Sequence, residues 1–373
     1  MVPRRAGCTD ASRPANLCGE IMGKTKKAEV LLEYQNYILE PPVTPEALYK
    51  QACSNDTVTI NAWRATWIKN VQDNHKKYGP FKDRSIGQLY ESNKLKPTIV
   101  AGSGPSLKRN INSLKNKKDI TLISCLHNFH AMEDADIEVD YYVSLDAGEV
   151  TTEEVYEGGS KTPEEYWAMT EKRTLLAFIG TSPRLLEKWR GKILFFNCPV
   201  PDDAYMTAVK EIEQFNLYIG NGGNVLGACM YIAKAILGSP ITAFVGADFA
   251  FSYDKKFHGW ESKYDAAMGR CVRTIDVFGN KVFTWQSYAN FKGWFETVAI
   301  RVPGIYINCT EGGTFGSYYE GNLYQIRQMD LEDFLNMFFM HEHTKEQCVE
   351  PDGFKLEKID GEDVKVYHNK LLF

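Results

Sequence analysis

The chain has 373 residues, of which 44% are hydrophobic and 24% charged, and its formal net charge is −5. That length supports one large domain with additions, or two domains, and the composition suits a chain that buries a core. The charge excludes a broad basic field for nucleic acid or anionic lipid, leaving room only for a local basic pocket.

The nine cysteines are scattered, with no CxxC pair and no ligand-like Cys/His spacing. This usage fits a reducing, cytoplasmic setting in which thiols act as small core residues. No run reaches the roughly 18 uncharged apolar residues of a membrane span. Val225 to Leu237 comes nearest, but Lys234 interrupts it and it reads as a buried helix. Aromatic residues reach 13%, which suits stacking on a flat ligand and equally a large aromatic core.

In chain order, residues 1–21 are polar, lack a signal peptide's apolar segment and read as a disordered extension. Met22 is as good a start as Met1. Residues 22–94 read as a helical layer. Leu31, Leu32, Tyr34, Tyr37, Ile38 and Leu39 share one face until Pro41-Pro42 stops it. Thr44-Pro-Glu-Ala opens a second helix with Pro at its first position, continued by Trp63, Trp67, Ile68 and Val71.

From residue 95 to 320 short apolar runs alternate with helices. Strands are predicted at 98–101, 120–124, 141–145, 175–179, 193–196, 241–245 and 305–308. Helices are predicted at 107–114, 163–170, 182–189, 204–214, 224–237 and 287–302. This alternation predicts an α/β, Rossmann-like, doubly wound and mostly parallel sheet. Residues 321–373 add a helix and a small β-hairpin, with Asp360-Gly361 between its two runs.

Five segments carry candidate chemistry. In the first, a strand runs into Gly102-Ser-Gly-Pro-Ser106 and then a helix. Glycines allow a close approach of backbone to phosphate, and helix-start N–H groups favour an anion. The third glycine of the dinucleotide fingerprint is absent, as is the Gly-Lys-Ser/Thr of a P-loop. A capped strand-to-helix turn has the same form. The second is Asp146, which follows the third strand at the edge where parallel sheets bind ligands, placed for a metal ion, a ribose hydroxyl or a turn cap.

The third, Tyr218-Ile-Gly-Asn-Gly-Gly-Asn-Val225, opens the apolar helix and leads to a second strand-end carboxylate, Asp248. Gly222, Gly223 and Asn224 repeat the glycine-rich helix start. The fourth, Phe251-Ser-Tyr-Asp-Lys-Lys-Phe-His-Gly-Trp260, holds His258, an acid/base candidate or an exposed loop residue, beside Lys255 and Lys256. The fifth, Asn308-Cys-Thr-Glu-Gly-Gly313, offers Thr310, Glu311 and Gly312 for substrate contact, or is simply loop.

Taken in order, Gly102-Ser-Gly-Pro-Ser-Leu, Ser144-Leu-Asp146, Gly222-Gly-Asn-Val, Phe244-Val-Gly-Ala-Asp-Phe-Ala-Phe251 and Asn308-Cys-Thr-Glu-Gly-Gly313 resemble the 6-hydroxymethylpterin diphosphokinase MptE-like family, which includes the core of bacterial motility accessory factors. One branch transfers pyrophosphate from ATP to a pterin alcohol with Mg²⁺. The other is linked to transfer of sialic-like sugars onto flagellin. Residues 222–248 are also similar to bacterial sialyltransferases that use CMP-activated sugars.

The resemblance implies a nucleotide-dependent transferase. Its donor would be a CMP-sugar or ATP, and its acceptor a glycan, a protein or a pterin. Gly102, Ser103, Gly104, Pro105, Ser106, Asn128, Gly222, Gly223 and Asn224 would hold the nucleotide. Asp146 and Asp248 would serve catalysis or Mg²⁺, and His258 acid/base transfer. Two departures stand out: Ile219-Gly-Asn-Gly-Gly-Asn224 lacks the histidine of the pterin enzymes, and Asn280-Lys281 stands where the sialyltransferases carry their base. A scaffold module without catalysis is the remaining expectation.

Overall fold

The computed structural model describes residues 45–251, 271–278, 281–302, 304–316, 326–344, 354–359 and 362–367. The described residues up to Leu331 form one compact unit, and those after it form a second.

The first unit is built on a parallel sheet of eight strands. β1 (Thr98–Ala101) is buried along its whole length, as expected of a central strand covered on both faces. β2 (Thr121–Cys125), β3 (Tyr141–Ser144), β4 (Thr174–Phe178) and β5 (Lys192–Phe196) extend the sheet on one side of it. β6 (Ile241–Val245) pairs with the other edge of β1, register Thr98 to Thr242 through Ala101 to Val245. β9 (Ile305–Asn308) and β10 (Ile326–Gln328) follow it, and the spatial order is β10-β9-β6-β1-β2-β3-β4-β5. The strand order therefore reverses between β1 and β6. At such a switch point the two chain crossovers leave in opposite directions and open a crevice at the C-terminal strand ends.

The predicted strands all form, within a residue of their expected ends. The expected helix at 107–114 is tighter: α-helix lasts only from Leu107 to Asn110, and a 3₁₀ stretch takes over from Ile111 to Asn116. β10 was not expected, nor was the antiparallel pair β7 (Cys271–Ile275) and β8 (Lys281–Trp285). The helix Val225–Tyr231 begins on Asn224, whose Oδ1 accepts from Gly227 N at 2.9 Å, and continues as a π turn over Ile232–Ile236.

The helix expected after Thr44 runs from Pro45 to Tyr78, while the one expected at residues 31–39 lies outside the described residues. Two buried asparagines four residues apart, Asn70 and Asn74, share one face of the Pro45–Tyr78 helix and reach the C-terminal edge of the sheet. Asn70 Nδ2 donates to the carbonyls of Ala147 at 3.0 Å and Gly180 at 3.1 Å. Asn74 Nδ2 donates to those of Ile179 and Thr181, each at 2.9 Å. This helix therefore braces the loops that follow β3 and β4. In the second unit, β11 (Phe354–Ile359) and β12 (Glu362–Tyr367) pair antiparallel as the expected hairpin.

Candidate active site

A cavity of about 270 Å³ opens at the C-terminal ends of β6, β1, β2 and β3. Ser103 and Gly104 line it after β1, His127 after β2, and Asp146 and Glu154 after β3. Asn224 to Leu226 enter from the helix start, Gly246 to Ala250 from the end of β6, and Tyr288 and Phe291 from the helix Gln286–Arg301.

The turn after β1 and the turn after β6 continue the pairing of their strands. Gly102 N donates to Val245 O and Gly104 N to Gly246 O, both at 2.9 Å. The Asp248 carboxylate then reaches the helix start, accepting from Ser106 N at 3.3 Å on each oxygen and from Ser106 Oγ at 2.7 Å on Oδ2. A Cβ on residue 104 would run into Asp248 Oδ2 and stand 2.6 Å from Gly246 O. Gly104 is thus required by the approach of the protein's own carboxylate. The expected phosphate cradle is altered accordingly: the amides of Gly102, Gly104 and Ser106 are engaged internally, and the anion at the helix start is Asp248. Burial pushes the Asp248 carboxyl up to about 6, although the Ser106 hydroxyl and amide and the Arg109 guanidinium favour its charged form.

Several other expected contacts turn out to support the site from behind. Asn128 is buried, and its Nδ2 donates to Gly102 O at 3.1 Å and Ala101 O at 3.3 Å, fixing the turn from beneath. Pro105 sits in the same turn and does not line the cavity. Thr310 Oγ1 accepts from Ala247 N at 3.0 Å, and Glu311 Oε1 accepts from Leu331 N at 3.0 Å. At residue 312 a Cβ would be 2.8 Å from Arg109 Nη2, a group that donates to Glu311 O at 2.6 Å. Thr310, Glu311 and Gly312 therefore hold neighbouring loops and do not face the cavity.

Gly222 and Gly223 have φ of +59° and +82°, a region that favours glycine. Trp294 covers Gly222, and Phe291 covers Gly223, where a Cβ would be 3.0 Å from the ring. These glycines seat aromatic side chains of the Gln286–Arg301 helix. Asn224 does reach the cavity. His258, Lys255 and Lys256 lie outside the described residues.

Asp146 meets a partner not foreseen in the sequence. Its side chain is exposed to the cavity it lines, and desolvation in that recess raises its carboxyl. Glu154, on the 3₁₀ segment Glu149–Val155, lines the same cavity. Burial, then the charges of Asp146 and Glu157, push the Glu154 carboxyl well above the ordinary range. The charge of Asp146 disfavours a second charge on Glu154, so one carboxyl can ionise while the other keeps its proton, which suits acid/base exchange. His127 adds a third group able to move protons. Among the described residues no three His, Cys, Asp or Glu side chains gather as a metal-binding set. No described helix is long and apolar enough to cross a membrane.

A family model described as 6-hydroxymethylpterin diphosphokinase MptE-like matches residues 66–254. Among solved structures, the chain is similar to the MAf glycosyltransferase from Magnetospirillum magneticum AMB-1 at 15% identity and a TM-score of 0.46. The likeness covers 73% of this chain, which spans 41% of the length of that one. No curated protein sequence matches the chain.

Proposed function

The chain belongs to the 6-hydroxymethylpterin diphosphokinase MptE-like family, and we propose that it is a transferase that binds a nucleotide in the cavity between β1 and β6. The observation that carries this reading is that one cavity is lined both by the carboxyl groups of Asp146 and Glu154 and by the rings of Tyr288 and Phe291. The donor that best suits the described lining is a nucleotide-activated sugar, such as a CMP-linked sialic-like sugar. Asp146, Glu154 and Asp248 line the cavity, and no described lysine or arginine does. A single phosphate needs less charge compensation there than a triphosphate.

In this reading an acceptor hydroxyl attacks the anomeric carbon. The new carbon–oxygen bond forms as the bond to phosphate breaks, and the nucleoside monophosphate leaves with the bonding electron pair. The deprotonated member of the Asp146–Glu154 pair takes the hydroxyl proton.

A second reading is favoured by the family description and by the same two carboxylates: a diphosphokinase using ATP. Hard carboxylate oxygens fit Mg²⁺, which rests on one or two carboxylates plus substrate phosphates. Asp146 and Glu154 would hold it, and the ion would neutralise charge on the transferred group.

A thermal-shift series with CMP, CDP, UDP, ATP and GTP, with and without Mg²⁺, separates the two. Stabilisation by CMP without metal supports sugar transfer, and stabilisation by ATP only with Mg²⁺ supports the diphosphokinase. If no nucleotide shifts the transition, the transferase reading fails and a scaffold role stands in its place.

A further inference from the structure

We infer that Tyr288 and Phe291 are the specificity platform of the site, the surface on which the nucleobase of the substrate stacks. The inference rests on the nucleotide reading above and adds where the base lies and what recognises it.

Both rings are half-buried and line the cavity from one face of the Gln286–Arg301 helix, three residues apart. Their centroids are 6.0 Å apart and their planes differ by 43°. Behind them Trp285 lies 5.3 Å from Tyr288, and Phe251 lies 5.1 Å from Trp285. The platform is therefore backed by other rings and has little freedom to turn. Its seat is built as well. Gly223 removes the side chain that would press on Phe291, and Gly222 does the same for Trp294 one helical turn on. A helix tied at these points presents its rings in one fixed orientation, which lowers the entropy lost when a flat ligand stacks.

The cavity offers both surfaces that a nucleotide needs. Tyr288 and Phe291 line it with rings, Phe291 lying against Gly223 just before the helix Val225–Tyr231, and Asp146 and Glu154 line it after β3. A base has two faces and no charge, which suits the rings. Sugar hydroxyls suit the carboxyls.

The test is calorimetric titration of CMP and of ATP with Mg²⁺ into the full chain and its Tyr288→Leu, Phe291→Leu and Phe291→Trp variants. Leucine keeps the apolar volume and removes the ring face, so each leucine variant should bind about ten- to a hundredfold more weakly. Phe291→Trp should keep wild-type affinity, and its fluorescence should be quenched by the bound base. If the wild-type chain binds neither nucleotide, the nucleotide reading falls and this inference falls with it. If the wild type binds and the leucine variants bind equally well, the platform is overturned while the nucleotide reading stands. Equal losses in Phe291→Trp and Phe291→Leu would overturn it too, because the ring would then not be the group that matters.

Discussion

The hydroxyl of Ser106 donates to Asp248 Oδ2 at 2.7 Å across 142 residues of chain. That bond joins the two glycine turns of the switch point and fills the helix start with an internal anion. The turn thereby becomes a structural clasp that fixes the floor of the cavity, and its glycines serve backbone proximity within the protein.

This changes what substitution at the turn should do. In Gly104→Ala the methyl group would collide with Asp248 Oδ2 and crowd Gly246 O, which lies on backbone and cannot swing away. Overpacking of this kind costs about 1–3 kcal/mol. A fall in the melting temperature should therefore accompany any loss of nucleotide binding. A variant with unchanged stability that loses binding alone would restore the phosphate-cradle reading of Gly102 to Ser106.

Asp248 should also leave a signature in stability against pH. Its carboxyl rises from 3.8 to about 6 on folding, so between those values the folded state holds the proton more tightly than the unfolded chain. Its contribution is most favourable below about pH 4 and is lost as the pH rises through about 6. The change amounts to as much as about 3 kcal/mol. Denaturant titrations at pH 4, 5, 6 and 7 should show Asp248→Asn gaining on the wild type by a comparable amount across that range. Parallel curves for the two proteins would refute the assignment.

Asn70 tests the bracing helix. Its single amide nitrogen serves the carbonyls of both Ala147 and Gly180 in a buried setting. Asn70→Ala leaves both without that donor, at a cost of about 1–3 kcal/mol. Ala147 adjoins Asp146, so nucleotide affinity measured well below the melting temperature should fall as well. Wild-type affinity in a destabilised Asn70→Ala protein would limit the helix to a structural role.

The parallel sheet is legible in the sequence because its strands are short apolar runs, each closed by glycine or a polar residue. Thr98–Ala101 before Gly102 and Ile241–Val245 before Gly246 show the pattern. Strand-end position also marks Asp146 and Asp248, and the same signal points to His127, two residues beyond β2. Glu154 is harder to see. Beside Glu149, Glu153 and Glu157 it reads as one member of a solvated acidic face, and only the fold turns it toward Asp146. Gly222 and Gly223 are ambiguous for a related reason. A left-handed glycine pair before a helix is the same in sequence whether phosphate or Trp294 occupies the space above it. β10 has only three residues, too few to show a period.

The carboxyl pair gives the sharpest test of chemistry. The charge of Asp146 is one of the causes that raise the Glu154 carboxyl, so the two groups titrate together. Asp146→Asn keeps the shape and removes that charge. With no second carboxylate beside it, Glu154 should lose its proton at lower pH than in the wild type. The limb of a kcat/KM profile that reports Glu154, taken with whichever nucleotide donor the thermal-shift series selects, should therefore move to lower pH. Glu154→Gln should remove that limb and leave Asp146 where it is, because burial is the cause that raises Asp146. A profile unchanged in both variants would separate the pair from the chemistry and leave His127 as the cavity's proton-transfer group.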